Sequence, residues 1–363
     1  MDPILHDSGR WYAAIFHHHC PCCQRIADPG DCHTAGTTLD QIGSTRRGPN
    51  SARGWLPRGG RRMSASTFPL SQERSNLSIR CRAYVELTKP RIASLVLVTV
   101  VVSGLIASWG QPNPWLLLHA VIGTACVAAS GSAFNHWLER HTDSLMPRTA
   151  GRPLPAGLLS SRQVVRFATA TVVAGSLYLG LFVHWQAATW GFVTWLLYVG
   201  AYTPLKVVTA WNTTVGAVAG TLPVVIGWTA VGADFDLRLG GLLAVVFLWQ
   251  FPHFMAIAWL YRNEYRQAGL KMTTVVDSSG KHATTQAVSA ALALIPVSFL
   301  PASYSVPSAL PYLLAALILG TGQLICALLF FCRRDETSAR WLLRASLIYL
   351  PTLLILMLSI PLL

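Results

Sequence analysis

The chain has 363 residues, 52% hydrophobic and only 12% charged, with a net charge of +13 and a mean hydropathy of +0.44. A soluble domain carries about 25% charged residues, so composition excludes that class and points to an all-α, polytopic membrane protein. The positive charge excludes nucleic acid as a partner, because it gathers at the ends of apolar runs, where topology is set. The eight cysteines show no spacing that suggests a disulfide framework.

Residues 1–82 carry eleven Arg, no Lys and six acids, with much Gly, Pro, Ser and Thr and no sustained apolar period. That is the composition of a disordered tail. Within it lie HHHCPCC (His17–Cys23) and Cys32-His33. A soft-metal site is one reading; the irregular spacing, with no strand or helix to frame it, favours an unstructured stretch. Met63 offers a natural alternative start. Asp2, Asp7, Asp28 and Asp31 weigh against a mitochondrial presequence.

From Ala83 the pattern changes. YVELTKPRI is amphipathic and ends in Lys89-Pro90-Arg91, a basic doorstep to a span. Nine apolar segments of roughly the ~20 residues that cross a bilayer follow. They are expected near 92–110, 114–137, 163–184, 187–205, 212–232, 238–260, 284–304, 308–332 and 341–362. With these spans, sixteen Lys and Arg beyond the tail fall on one side and only Arg238 on the other. The asymmetry predicts an inside N-terminus and an outside C-terminus.

The stretch Asn135–Pro155, NHWLERHTDSLMPRTAGRPLP, concentrates the chemistry. Asn135, Glu139 and Asp143 recur every four residues, so on a helix they share one face. An amide and two carboxylates suit a hard cation such as Mg²⁺, which takes its remaining oxygens from phosphate and water. Arg148 and Arg152 follow, guanidinium groups that grip phosphate oxygens. Lys206 closes YTPLK (Tyr202–Lys206), where Thr203-Pro204 predicts a helix terminus. A second polar loop, within Phe251–Met272, contributes Glu264. Two such loops at the mouth of an apolar bundle suit a substrate with a charged head and a greasy tail, and the head is read as a diphosphate. Gln250 and His253 lie at membrane depth in the sixth span, where polar groups are costly. His253 is therefore a candidate substrate contact or metal ligand, against the plainer reading of a packed histidine. His136 and His141 are read as spectators.

Four stretches carry a resemblance: LTKPRI, NHWLERHTDSLMPRTAGRPLPAG, YTPLK with WNTTVGAVAGTLPVVIGW, and WQFPHFMAIAWLYRNEYRQAGLKM. Over residues 84 to 362 the chain resembles the UbiA-type intramembrane prenyltransferases, and among them the branch that farnesylates protoheme IX. The resemblance implies nine helices around a central cavity, a divalent cation (Mg²⁺), farnesyl diphosphate as donor and heme B as acceptor. It implies that Asn135, Glu139 and Asp143 bind Mg²⁺-diphosphate, that Arg148, Arg152 and Lys206 hold phosphate oxygens, and that Glu264 stands for the second motif's acid. Tyr202 and Tyr265 join the substrate-binding set. The product would be heme O for terminal oxidases, with heme A synthase or oxidase assembly proteins as further partners. Glu139 and Glu264 stand where Asp is common, His141 takes a place often acidic, and Pro147 interrupts the loop. The expected location is the cell inner membrane with the site loops cytoplasmic; the mitochondrial inner membrane is the alternative. Rival readings are a prenyltransferase acting on a quinone precursor, a transporter or channel, and a non-catalytic assembly factor. A transporter would carry charges at mid-span in several helices, and here they gather at one face.

Overall fold

Apolar runs at bilayer length leave the backbone one way to satisfy its own polar groups within a single segment, the α-helix. The computed structural model describes residues 70–108, 111–302 and 310–359, and every regular element among them is helical. α1 (Leu70–Leu87) leads to α2 (Pro90–Ser108), α3 (Pro114–Leu138), the short α4 (Arg140–Ser144), α5 (Ser161–Phe182) and α6 (Trp185–Leu196). A π-helical segment (Leu197–Tyr202) and α7 (Thr203–Leu205) follow, then α8 (Asn212–Ala230), α9 (Leu237–Leu260) and α10 (Arg262–Gln267). α11 (Thr273–Val276), α12 (Lys281–Val297), α13 (Leu310–Arg333) and α14 (Glu336–Ser359) complete the described chain.

Seven of the described helices are long and apolar enough to cross a membrane: α2, α3, α5, α8, α9, α13 and α14. The chain is a multi-pass membrane protein. α6 and α12 stand where the fourth and seventh spans are expected but run only 12 and 17 residues. α6 continues through the π-helical segment into α7. Pro204 has no N–H and its ring crowds the carbonyl a turn earlier, which widens the helix there. Thr203 Oγ1 donates to the Tyr198 carbonyl at 2.8 Å. The chain therefore runs one residue past Pro204 before the helix ends. α1 begins at Leu70, inside the stretch that composition assigns to the tail. Residues 1–69, with His17–Cys23 and Cys32-His33, lie outside the described residues.

Sequence sets the helix starts. Asn113 precedes Pro114 and its side chain accepts from the N–H groups of Trp115 and Leu116, at 3.1 and 3.2 Å. Ser160 and Gln163 form a reciprocal capping box before α5. Asp236 accepts from the Leu239 N–H at 3.1 Å to start α9.

α3, α5, α6 and α8 pack as one group; α9, α12, α13 and α14 pack as a second; α2 lies along α8. Trp228, Trp249, Tyr312 and Tyr349 fill the largest core cluster. Side-chain hydroxyls and amides tie helices together where no water competes. Ser130 Oγ donates to the Ala168 carbonyl at 2.6 Å, and Gln250 Nε2 donates to the Ala217 carbonyl at 2.9 Å. At the α2–α8 crossing only glycine fits, because a Cβ on Gly227 would collide with the Val100 carbonyl.

Gly227→Ala is expected to cost about 1–3 kcal/mol through overpacking. Thermal unfolding in detergent checks it. Gly240→Ala, whose added Cβ meets nothing within 4 Å, should leave the transition in place.

Candidate active site

Asn135 lies in the last turn of α3, Glu139 caps it, and Asp143 lies in α4. The helical register survives the break, because the Glu139 N–H bonds the Asn135 carbonyl at 2.9 Å and the Asp143 N–H bonds the Glu139 carbonyl at 2.7 Å. The four-residue spacing thus delivers one face. Asn135 and Asp143 are wholly buried.

Each oxygen-bearing group on this face is met by a cation. Lys89 Nζ donates to Asn135 Oδ1 at 2.5 Å. Lys206 Nζ lies 2.6 Å from Glu139 Oε1. Arg152 Nη1 donates to both Asp143 oxygens at 2.7 Å. Asn135 Nδ2 in turn donates to Thr203 Oγ1 at 3.2 Å. Burial raises the Glu139 carboxyl, but Lys206 and Lys89 outweigh it and hold the group below its ordinary range. Burial lowers the Lys206 ammonium, yet Glu139 outweighs that and keeps it above the usual lysine value. Asp143 is raised, chiefly by burial, against the pull of Arg152. Lys89 is drawn down to about 7, chiefly by burial. Lys89 also has φ of 48°, a left-handed conformation that costs a non-glycine residue roughly 1–2 kcal/mol.

The second polar loop closes on the first. The Lys271 N–H bonds the Lys206 carbonyl at 2.6 Å, and Asn212 Nδ2 bonds the Lys271 carbonyl at 3.0 Å. Met146 packs with Ala268 and Leu270, with Tyr265 and Met272 alongside. Arg148 Nε sits 3.8 Å from Glu264 Oε2, and its guanidinium lies 4.7 Å from the Tyr261 ring centre. Glu264 Oε2 is buried without a hydrogen-bond partner. Lys206 Nζ lies 4.4 Å from the Tyr202 ring centre. Tyr202 and Tyr265 both line a cavity of about 120 Å³ whose walls include Thr213, Phe254 and Ala258.

Asn135, Glu139, Asp143, Arg152, Lys206 and Tyr202 therefore meet, with Arg148, Glu264 and Tyr265 beside them. His253 does not join them. Its Nδ1 lies 3.0 Å from Ser346 Oγ on α14, and its ring stacks on Trp249 at 4.9 Å. At about 100° per residue, the ring points to α14 and away from the Phe254 face that lines the cavity. Sequence reading missed three contributors. Lys89 counted only as a topology charge, and Thr203 only as part of a helix end. His136, read as a spectator, is 2% exposed and both ring nitrogens lack a hydrogen-bond partner.

The donor set has a bearing on metal. Among the described residues no group of three His, Cys, Asp or Glu comes together. One amide and two carboxylates are hard oxygen donors, which fit a Mg²⁺ that completes its octahedron with phosphate oxygens and water.

The profile of the UbiA prenyltransferase family matches residues 96–349. The protoheme IX farnesyltransferase of Rhodopirellula baltica is 44% identical over 282 residues, covering 75% of this chain and 98% of that protein. Its counterpart from Solibacter usitatus is 41% identical over 76% of this chain and 98% of its own. In solved structures the same fold recurs. A digeranylgeranylglyceryl phosphate synthase matches with a TM-score of 0.66 at 15% identity, over 78% of this chain and 98% of that one. A UbiA homolog from Archaeoglobus fulgidus, bound to DMAPP and Mg²⁺, matches with a TM-score of 0.59 at 15% identity, over 76% and 98%. The chain belongs to the UbiA prenyltransferase family.

Lys206→Met is expected to leave Glu139 buried without its partner and to destabilise the protein by about 3–5 kcal/mol. The double variant Lys206→Met/Glu139→Leu should recover most of that loss in thermal unfolding. Lys89→Ala removes a charged donor and should weaken prenyl diphosphate binding by about 1.5–3 kcal/mol, measured by titration calorimetry in detergent.

Proposed function

We propose that this chain transfers the farnesyl group of farnesyl diphosphate to a vinyl group of protoheme IX (heme B), giving heme O. The observation that carries the reading is a buried, cation-closed face at the mouth of an apolar cavity. The two relatives carry that activity in their names and span almost their whole length on this chain.

Two carboxylates face Lys89, Lys206 and Arg152, so the cluster is short of negative charge and suits a polyanion. An arriving diphosphate competes for these cations and draws them from the helix face to its own oxygens. Asn135, Glu139 and Asp143 are thereby free to hold Mg²⁺. When bound there, Mg²⁺ neutralises charge on the leaving diphosphate. Arg152, Lys206 and Arg148 hold phosphate oxygens as the bond from farnesyl C1 to oxygen breaks and the negative charge moves onto the diphosphate. Tyr202 and Tyr265 wall the cavity, screening the allylic carbon from water and offering ring faces to its positive charge. The electron-rich vinyl group attacks C1 and forms the new carbon–carbon bond. Water adds to the resulting cation and releases a proton, leaving a hydroxyethylfarnesyl substituent.

The sixteen-to-one distribution of Lys and Arg supports site loops on the cytoplasmic face of the cell inner membrane. Since heme O serves terminal oxidases, heme A synthase or oxidase assembly proteins are the expected neighbours. His253 is left out of the proposed site, since its hydrogen bond to Ser346 and its stacking on Trp249 already satisfy it.

The test is extraction of hemes from membranes expressing the chain with both substrates supplied, resolved by mass. A heme heavier by a farnesyl group plus water is expected, and Asp143→Asn should abolish it. A prenylated aromatic acid with heme B unchanged would move the chain to the quinone branch.

A further inference from the structure

Asn135, Glu139 and Asp143 share one helix face, and that face has a fourth member. At about 100° per residue, His136 lies about 20° from Asp143 and about 60° from Glu139 around the axis. The register holds across the break, because the Glu139 and Asp143 N–H groups bond the carbonyls four residues back. The charges that act most on the His136 ring are those of Lys89, Arg152 and Glu139. Leu87, two residues before Lys89, packs in one cluster with Ala133, one turn before His136. The corner that carries Lys89 is thus set against the turn that carries His136.

His136 is 2% exposed, and both of its ring nitrogens are buried without a hydrogen-bond partner. Among the described residues one other side chain, Gln323, has two atoms in that state. Gln323 lies on α13, whose only charged residue is the terminal Arg333, whereas His136 stands within the charge cluster. Burying a polar group without a partner is costly. A neutral imidazole offers one donor and one acceptor, and a charged one offers two donors. In either form an N–H is left that needs an acceptor. The resting cluster is short of them. Asn135 Oδ1 already accepts from Lys89, Glu139 Oε1 from Lys206, and both Asp143 oxygens from Arg152. What the ring lacks is what a polyanion brings.

We infer that His136 is a further binding residue for the diphosphate of the donor. The inference rests on the reading that this site takes a prenyl diphosphate. One ring N–H donates to a phosphate oxygen. The other nitrogen accepts an N–H of Lys89 as that ammonium turns from Asn135 Oδ1 toward the phosphate. Both nitrogens are closed to solvent in the resting protein, so the contacts form as the cations leave the helix face. The fold forgoes hydrogen bonds that ligand binding completes. Stability and binding therefore pull against each other at this position.

The test uses the full chain in detergent and two probes, farnesyl diphosphate and inorganic pyrophosphate, each with Mg²⁺ and with no acceptor present. His136→Phe keeps a flat ring and removes both nitrogens. Titration calorimetry should show both probes bound about tenfold more weakly. The ligand-free thermal midpoint should not fall, because two unpartnered polar atoms are gone. His136→Asn, which keeps a donor and an acceptor, should retain more of the binding than His136→Phe. Unchanged binding of both probes in His136→Phe would overturn the inference. A lowered ligand-free midpoint would overturn it too, since the nitrogens would then serve the resting fold. Wild-type protein that binds neither probe would sink the diphosphate reading and the inference with it. Wild-type protein that binds both, loses them in His136→Phe, yet makes no farnesylated heme would sink the proposed reaction alone and leave the role of His136 standing.

Discussion

Carboxylates at the edge of an apolar bundle persist as anions only when positive charge lies within reach, and most of what is unusual in this chain follows from that constraint. Glu139 and Asp143 are drawn inward by the register of α3 and α4. An unpaired carboxylate there would cost several kcal/mol or take up a proton. Three separate parts of the chain answer it. Lys89 comes from the α1–α2 junction, Lys206 from the end of α7, and Arg152 from the loop after α4. Each is placed by a local device: a left-handed turn at Lys89, a π-helical widening before Pro204, and a bidentate grip between Arg152 and Asp143. Irregular backbone gathers where the charges must meet.

That explains which parts were legible in the sequence. Asn135, Glu139 and Asp143 could be placed on one face from spacing alone, because helical register is a local property and persists through the break at Glu139. Seven of the nine expected spans followed from hydropathy for the same reason. Lys89 was invisible as a site residue. A basic residue before a span ordinarily sets topology, and only the fold brings it 46 positions along the chain to Asn135. Thr203 was hidden similarly, since its hydroxyl matters through a contact to Asn135 that sequence distance conceals. The π-helical segment escaped because Pro204 reads as a helix end, whereas the helix accommodates it by widening. His253 drew attention as a polar group at membrane depth. Ser346, far away in sequence, satisfies it.

The closing of one loop on the other carries a further consequence. The backbone bond from Lys271 to the Lys206 carbonyl fixes the second loop to the residue whose ammonium holds Glu139. In the proposed reaction, movement of Lys206 toward a phosphate is then a side-chain motion on a pinned backbone, so little chain entropy is at stake. Arg148 is different. Its contact with Glu264 is long and leaves Glu264 Oε2 without a hydrogen bond. Of the cations at the site it is the least committed, and so the readiest to turn to a newcomer.

A cluster in which every acid already holds a base discriminates by charge. A neutral ligand can displace none of these cations, because each exchange would exchange an ion pair for a weaker dipole. A single anion can capture one and strand one carboxylate. A diphosphate carries enough oxygens to engage several cations at once, and the carboxylates it strands are the ones suited to a divalent cation. On the proposed reading, the arrangement favours the donor and metal arriving together over either alone. It also keeps the buried charges compensated at each stage, which an open acidic pocket at the edge of an apolar bundle would not do.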